Sequence, residues 1–592
     1  MLSISFLFAV ALFLLLLIFF AILPDLRSCP LASPDAPHLT KPTEERRGNG
    51  LPGLVLIMAV YSAAAFWNLG NMTSPETFAP MEGRSVILEF PEAASPATAI
   101  LFPGVGTGEY SIEVSNDLEG WHPVGSFSQD HVSVLKWQYV ALTQMGEFRY
   151  LRIHCTFGTP WLGEFCVLDS EGRSIPFQCS VPELNDEAGM VPDSSDYLNS
   201  SYFDEIYHAR TAWEHLHAIW PYEISHPPLG KEIISLGILL FGMTPFGWRF
   251  SGTVMGTLML PVMYFFLRRV FGGKRIPTLG TVLLASGFMH YAQTRIATID
   301  SYAVFFILLM FWFMYAWLSS GRTRDLALCG LAFGFGAACK WTCLYAGAGL
   351  AVLWTGNWIL RMVKGGFRAQ FGNFLKNAAL CLLFFLLIPG FIYYLSYIPY
   401  GIAEGEPLFS GGYTKLLLDN QKFMMNYHVS VKAEHPYSSR WYQWILNIRP
   451  ILYYLEYFPD GRRISIACFA NPVICWGGLL SMMVLAVTAL LRRDRTALFL
   501  MIAYASGVLP WIFISRLTFE YHYFASAVFL VPAICYVFSL MEKGSRTGKL
   551  CTAGFCIVSV LLFAMFFPVL NGLPIDNTLG SRLLGWLPSW PI

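Results

Sequence analysis

Asp300-SYAVFFILLMFWFMYAW-Leu318 carries no charge after its first residue, and Arg295 and Arg322 bracket it. A run of about 20 apolar residues is what an α-helix needs to cross the hydrocarbon of a bilayer. The same signal recurs along the chain. Candidate spans lie at about 1–24, 51–67, 247–267, 277–296, 300–318, 326–339, 342–360, 377–398, 468–491, 497–514, 523–541 and 550–570, which makes twelve. The composition agrees. Of 592 residues, 55% are hydrophobic and only 13% charged, and mean hydropathy is +0.50. Soluble chains carry about 25% charged residues. The balance of 39 basic against 39 acidic residues leaves no net field for a polyanion, so a nucleic-acid binder is excluded along with a soluble enzyme. The 18 Trp and 28 Tyr suit the two membrane–water boundaries. The first span lacks a positive n-region and Pro24-Asp-Leu-Arg27 is a poor cleavage site, so it is expected to be retained.

Orientation follows from the basic residues of short loops. Six connections, 25–50, 268–276, 319–325, 361–376, 492–496 and 542–549, hold 20 of the 39 Lys and Arg in about an eighth of the chain. Twelve alternating spans put all six inside. The other side then receives 69–246, 399–467 and the tail after 571. Within the first, Ser85-Val-Ile-Leu-Glu-Phe90, Tyr110-Ser-Ile-Glu-Val114 and Arg149-Tyr-Leu-Arg-Ile-His154 alternate apolar and polar residues between turn formers. That pattern predicts an extracytoplasmic β-sandwich or jelly roll. The expected organisation is an extra helix and loop (1–50), the first core helix (51–70), the β domain (71–182), an acidic linker and outer loop (183–246), a membrane core (247–398), a second outer loop (399–467) and C-terminal spans (468–592). Cys155, Cys166 and Cys179 of the β domain leave one disulfide open.

Polar groups at a membrane face are costly unless paired or used, and this face collects many. Asp204 and Glu205 are adjacent carboxylates among aromatics. Helical neighbours point about 100° apart, so one can face a cavity and the other a support. The ordinary reading is an acidic helix start. In His226-Pro-Pro-Leu-Gly-Lys231 two prolines stiffen a turn that presents His226 and Lys231; the ordinary reading is a re-entrant turn. Arg249 opens the next span, and the spacing of Arg295 and Asp300 allows an ion pair. Lys340, Arg440, Arg449, Arg516 and His522 complete the set. Each alone is an anchor, because Arg and Lys snorkel. Together they give a carboxylate pair and a ring of cations, the equipment for moving a group from a lipid phosphate to a hydroxyl. No cluster of carboxylates of the kind that holds a divalent ion is evident, so no metal or cofactor is expected.

Asp204-Glu205, His226-Pro-Pro-Leu-Gly-Lys231, Arg249, Arg295 with Asp300, Cys339-Lys-Trp-Thr342, His435-Pro-Tyr-Ser-Ser-Arg-Trp-Tyr-Gln-Trp444, Arg449-Pro450 and Tyr521-His-Tyr-Phe524 occur in an order that resembles the bacterial protein O-mannosyltransferases of glycosyltransferase family 39. The resemblance covers about 202–540. It implies the GT-C architecture, a polytopic α-helical membrane protein of about twelve transmembrane helices, in a bacterial plasma membrane with the active site on the extracytoplasmic face. It implies inverting transfer of a mannosyl group from a polyprenyl-phosphate donor to Ser or Thr of a protein acceptor. The alternatives are transfer of another lipid-linked sugar to a lipid or cell-envelope glycan, and a transporter. By the same resemblance Asp204 is the base and Glu205 positions the acceptor or orders the loop. Lys231, Arg249, Lys340 and Arg440 are the candidates for phosphate contact, His226 and His522 help shape the cleft, and Arg295 joins them as a donor-phosphate or substrate-binding residue. The stretch 110–121 with 148–153 resembles discoidin (coagulation-factor type C) domains, which makes the β domain a candidate surface for carbohydrate or a partner protein, with a plain spacer as the alternative. A domain that only docks partners would be dispensable for catalysis on a minimal acceptor. The chain departs from the family in Cys343, which replaces a common Gly, and in the absence of β-trefoil repeats. About 135 residues also separate the helix at 51–67 from Asp204.

Overall fold

The computed structural model describes residues 4–21, 50–432 and 434–591. Arg27, Lys41, Arg46 and Arg47 of the first expected cytoplasmic loop lie outside the described residues. The chain divides into two compact units. One comprises residues up to Trp67, Glu223–Glu232 and the chain from Gly252 onward; the other comprises Asn68–Tyr222 and Ile233–Ser251.

The second unit contains nine strands: β1 (Ala79–Pro80), β2 (Ser85–Ala94), β3 (Thr98–Pro103), β4 (Gly108–Ser115), β5 (His122–Gln129), β6 (Gln138–Ala141), β7 (Phe148–Gly158), β8 (Trp161–Leu168) and β9 (Gln178–Cys179). They form two antiparallel sheets, β5-β4-β7-β2-β9 and β1-β8-β3-β6. Side chains alternate across a strand with period two, so Leu88, Ile112 and Ile153 of the first sheet and Leu101, Phe165 and Val167 of the second all bury in one shared core. Register follows from that burial: Ile112 pairs with Ile153 and Val114 with Leu151. This is the expected sandwich, and the three alternating runs are its strands β2, β4 and β7. Cys155, Cys166 and Cys179 are free thiols.

The first unit is mostly helical and also carries a small antiparallel sheet of Ile451–Tyr457, Arg462–Cys468 and Ile575–Asp576. Among the described residues seven helices are long and apolar enough to cross a bilayer, and eight if the bent pair Glu520–Ala527 and Leu530–Met541 is one span. Twelve were expected on composition. The expected spans 1–24 and 51–67 contain the shorter apolar helices Phe6–Phe20 and Leu51–Phe66. The segment 277–296 is divided into Arg275–Ala285 and Phe288–Thr294, because Gly287 adopts an extended ψ of 119° that stops the first helix. The segment 326–339 belongs to Thr323–Cys339, which has 17 residues. Asp300–Ser320 is the helix read first. It ends at Gly321, whose left-handed φ of 69° suits a residue without Cβ and closes the last turn through a bond to the Trp317 carbonyl. The next helix returns beside it from Thr323.

Candidate active site

Asp204 stands at the N-cap position of the helix Glu205–Leu216, which starts after a kink: Phe203 has φ of 49°, a left-handed backbone that a bulky residue rarely adopts. The next two side chains part as the 100° step requires. Asp204 is half-buried and Glu205 is fully buried. Glu205 accepts a two-toothed fork from Arg249, Nε to Oε1 at 2.7 Å and Nη2 to Oε2 at 2.7 Å. Arg249 is likewise fully buried, and it also donates to the carbonyls of Leu69 (2.8 Å), Tyr197 (2.6 Å) and Ser200 (3.0 Å). Its guanidinium lies 4.7 Å from the ring centre of Tyr202. A planar fork with five donors suits a carboxylate and several carbonyls at once, which an ammonium could not match. Arg249 thus clamps the chain on either side of Tyr202 and sets Asp204 at the edge of a rigid base.

In the helical unit a second constellation gathers around the Pro-Pro turn. Lys231 is fully buried and spends its ammonium on Glu223 Oε2 (2.6 Å), the Glu223 carbonyl (2.9 Å) and the His226 carbonyl (2.9 Å). Glu223 Oε1 takes His226 Nδ1 at 3.1 Å. The His226 ring meets that of His428 edge-on, 5.2 Å between centres. His428 belongs to the helix Gly411–Ser430, whose Asn420 donates to the Ile224 carbonyl at 2.9 Å and so ties that helix to the turn. Lys340 pairs with Asp300 at 2.7 Å, both nearly buried. Asp300 therefore takes Lys340 as its partner, not Arg295 as the spacing allowed. Arg295 closes the preceding short helix and donates to the carbonyls of Ala65 (2.9 Å) and Trp67 (3.0 Å).

Electrostatics mark the same place. Burial lowers the pKa of His226, and Lys340 and Lys231 add to the fall while Glu223 opposes it. Burial first, then the neighbouring His226, Arg516 and Lys340, bring His428 down to about 4. Both imidazoles are therefore neutral at pH 7 and lie in the field of Lys340. Arg516 is half-buried, and its guanidinium reaches the Leu517 carbonyl at 3.3 Å. Among the described residues it has no carboxylate partner. His522 stacks on Trp444 (5.9 Å) and Tyr521 (4.4 Å), and its Nδ1 contacts the Phe519 carbonyl at 3.0 Å. Arg440 is exposed and holds the Ser515 carbonyl at 2.9 Å, next to Arg516.

The expected residues thus fall into two groups. Asp204, Glu205 and Arg249 form one, and His226, Lys231 and Lys340 the other, with His522 nearby enough to feel Lys340, Arg516 and His226. Arg295 and Arg440 bond backbone carbonyls. His428 and Glu223 were not singled out from the sequence. Glu223 stands three residues before His226, a spacing that could have flagged it; His428 sits in a helix with no motif. One group among the described residues, Glu164, Asp186 and Glu187 in the sandwich unit, brings ligand atoms within 4.8 Å of one another and could hold a metal ion. Burial pushes the Glu164 carboxyl up to about 7.

Known proteins match over much of the chain. A model of the C-terminal four-transmembrane region of protein-O-mannosyltransferase covers residues 413–590, and a model of dolichyl-phosphate-mannose-protein mannosyltransferase covers 225–393. Asp204 and Glu205 precede both ranges. A polyprenol-phosphate-mannose–protein mannosyltransferase of Mycolicibacterium smegmatis is 26% identical over 459 residues, 66% of this chain and 87% of that protein. Its namesake in Corynebacterium glutamicum is 24% identical over 463 residues, 66% of this chain and 88% of that protein. The structure of the Saccharomyces cerevisiae protein O-mannosyltransferase Pmt1-Pmt2 complex bound to the sugar donor superposes with a TM-score of 0.59 at 12% identity, over 66% of this chain and 89% of that one, which is a likeness of fold. Two matched regions of one kind of enzyme, together more than half of the chain and carried on a GT-C fold, place this multi-pass membrane protein in the protein O-mannosyltransferase family.

Proposed function

We propose that the chain transfers a mannosyl group from a polyprenyl-phosphate donor to Ser or Thr hydroxyls of proteins, at the extracytoplasmic face of a bacterial plasma membrane. The observation that carries the reading is the basic cluster of Lys340 and Arg516 with the neutral imidazoles of His226 and His428. A phosphate that leaves as a dianion needs such donors aimed at it in a site of low dielectric. Arg516 contributes a cation that no carboxylate neutralises among the described residues.

In the reaction Asp204 takes the proton from the acceptor hydroxyl as its oxygen bonds to C1 of the sugar. The C1–O bond to phosphate breaks on the opposite side, which inverts the anomeric centre. The electron pair leaves on the phosphate, where Lys340 and Arg516 meet it. Glu205, held by Arg249, fixes the backbone that presents Asp204. Lys231 fixes the Pro-Pro turn through Glu223 and so sets His226. An apolar cavity of about 240 Å³ lined by Met314, Phe333, Leu344, Leu350 and Trp354 has the chemistry to take part of an isoprenoid tail. Lys340 and Trp341 join two of the helices that line it. The β domain is a candidate surface for carbohydrate or a partner protein.

Purified protein incubated with radiolabelled polyprenyl-phosphate-mannose and Ser/Thr peptides tests the reading. Label in peptide is expected. Donor consumed with label in lipid or glycan instead would move the acceptor, and an untouched donor would refute the activity.

A further inference from the structure

Three rings of the sandwich unit make an unusual contact. His131 comes from the loop between β5 and β6, Tyr207 from the helix Glu205–Leu216, and Tyr222 from the segment after it. All three centre-to-centre distances are 6.3 Å, and the planes are tilted by only 2° to 23°. A stack of three would set its outer rings at twice the neighbour spacing. Equal spacings instead set the centres of the three near-parallel rings at the corners of a triangle, a compact aromatic platform. Tyr222 is 42% exposed. On one side Arg210 covers it, with the guanidinium 4.0 Å from the ring centre.

The platform is built, not incidental. Asp130 Oδ1 accepts from the backbone N–H groups of Val132 (3.0 Å) and Ser133 (3.0 Å) and fixes the turn that carries His131. Glu214 accepts from Arg210 Nε at 2.7 Å and from the Tyr222 N–H at 2.6 Å. Arg210 is 7% exposed, and its Nη1 has no partner among the described residues. That leaves a buried donor beside the rings for a carbonyl that the folded chain does not supply. The same β5–β6 loop is bonded to the chain just before the Asp-Glu pair: the Ser201 N–H donates to the Leu135 carbonyl (2.8 Å), the Ser201 hydroxyl to the Val134 carbonyl (2.7 Å), and the Trp137 N–H to Ser200 Oγ (3.2 Å). Tyr207 stands three residues beyond Asp204, and helical residues three apart share a face with Cβ atoms about 5–6 Å apart. The Tyr207 N–H donates to the Asp204 carbonyl at 3.1 Å.

We propose that the inserted β-sandwich supplies part of the acceptor site through His131, and that the polypeptide acceptor lies over His131, Tyr207 and Tyr222 while Arg210 Nη1 takes one of its backbone carbonyls. This rests on the reading of Asp204 as the base. A chain whose hydroxyl reaches Asp204 has its flanking residues one helical turn away, over the rings. The domain is then part of the enzyme and not a spacer.

The test is steady-state transfer by the purified full-length protein, with radiolabelled polyprenyl-phosphate-mannose and a Ser/Thr peptide titrated in turn. His131→Ala and Tyr222→Leu are each expected to raise the peptide KM by about 3- to 10-fold, the worth of one aromatic contact. Donor KM should stay unchanged and kcat within about twofold, and His131→Phe should restore the peptide KM. An unchanged peptide KM in both variants, with Asp204→Asn inactive, overturns the platform and leaves the base assignment standing. A collapse of kcat at constant peptide KM also overturns it, since that is a folding role. Asp204→Asn at full rate, or no label in peptide from the unaltered protein, overturns both readings.

Discussion

Arg249→Met offers the sharpest view of what holds the Asp-Glu segment. Arg249 and Glu205 are both fully buried and joined by two bonds of 2.7 Å. Removing one partner of such a pair costs about 3–5 kcal/mol, because the other charge is left uncompensated. The two losses are not equivalent here. Arg249→Met also strips donors from the carbonyls of Leu69, Tyr197 and Ser200, each worth about 1–3 kcal/mol if left unpaired. Glu205→Gln leaves those carbonyls served, and the new amide oxygen can keep the bond from the Tyr202 N–H, now 3.2 Å from Glu205 Oε2. Arg249→Met should therefore be the costlier substitution. The readout is hydrogen exchange of peptides spanning 195–216, since local opening exposes these amides. Arg249→Met is expected to cut protection by about 10²- to 10⁴-fold, the equivalent of about 3–5 kcal/mol. Glu205→Gln should cut it by a smaller factor, and the double variant by less than the product of the two. Equal single effects that multiply independently would refute the clamp, for residues in one network must couple.

Arg516→Gln should weaken donor binding by about 10- to 100-fold, the loss of one charge-assisted contact, while thermal unfolding is unchanged, since among the described residues Arg516 bonds only the Leu517 carbonyl; isothermal titration with the donor lipid in detergent measures the first and a melting curve the second. His428 should make stability pH-dependent. Its imidazole takes a proton near pH 6.5 in the unfolded chain and only near 4 in the folded one, so the unfolded state binds more protons between those values. Stability is then flat above pH 6.5 and falls from 6.5 toward 4, and the melting temperature of His428→Gln should fall less over that window than that of the unaltered protein.

The motifs of the helical unit were legible because chemistry-bearing residues cluster tightly in sequence: His226 and Lys231 lie five apart, and the structure closes them on one turn. The strands β2, β4 and β7 were legible for a similar local reason, the period-two alternation of Ser85–Phe90, Tyr110–Val114 and Arg149–His154. Partners were not. Asp300 stands five residues from Arg295 and forty from Lys340, yet pairs with Lys340, because Arg295 turns to the carbonyls at the end of the helix Leu51–Phe66. Glu205 finds Arg249 forty-four residues on. Such choices are made by packing, and no local period reports them. Helix boundaries are decided in the same way. Apolar composition reads 277–296 as one helix, whereas a single extended residue, Gly287, breaks it. His131 lies in a loop whose sequence gives no cue that it meets Tyr207 across 76 residues; only the folded sandwich brings the rings together.

The central claim is that Asp204 takes the acceptor proton in mannosyl transfer from a lipid phosphate. Single-turnover transfer by Asp204→Asn, with the donor-loaded full-length protein and a Ser/Thr peptide in excess, addresses it most directly. The account predicts a rate lower by about 10² to 10⁴ with donor affinity retained. A variant that keeps a tenth or more of the unaltered rate, or one that has lost the donor as well as the rate, would contradict it.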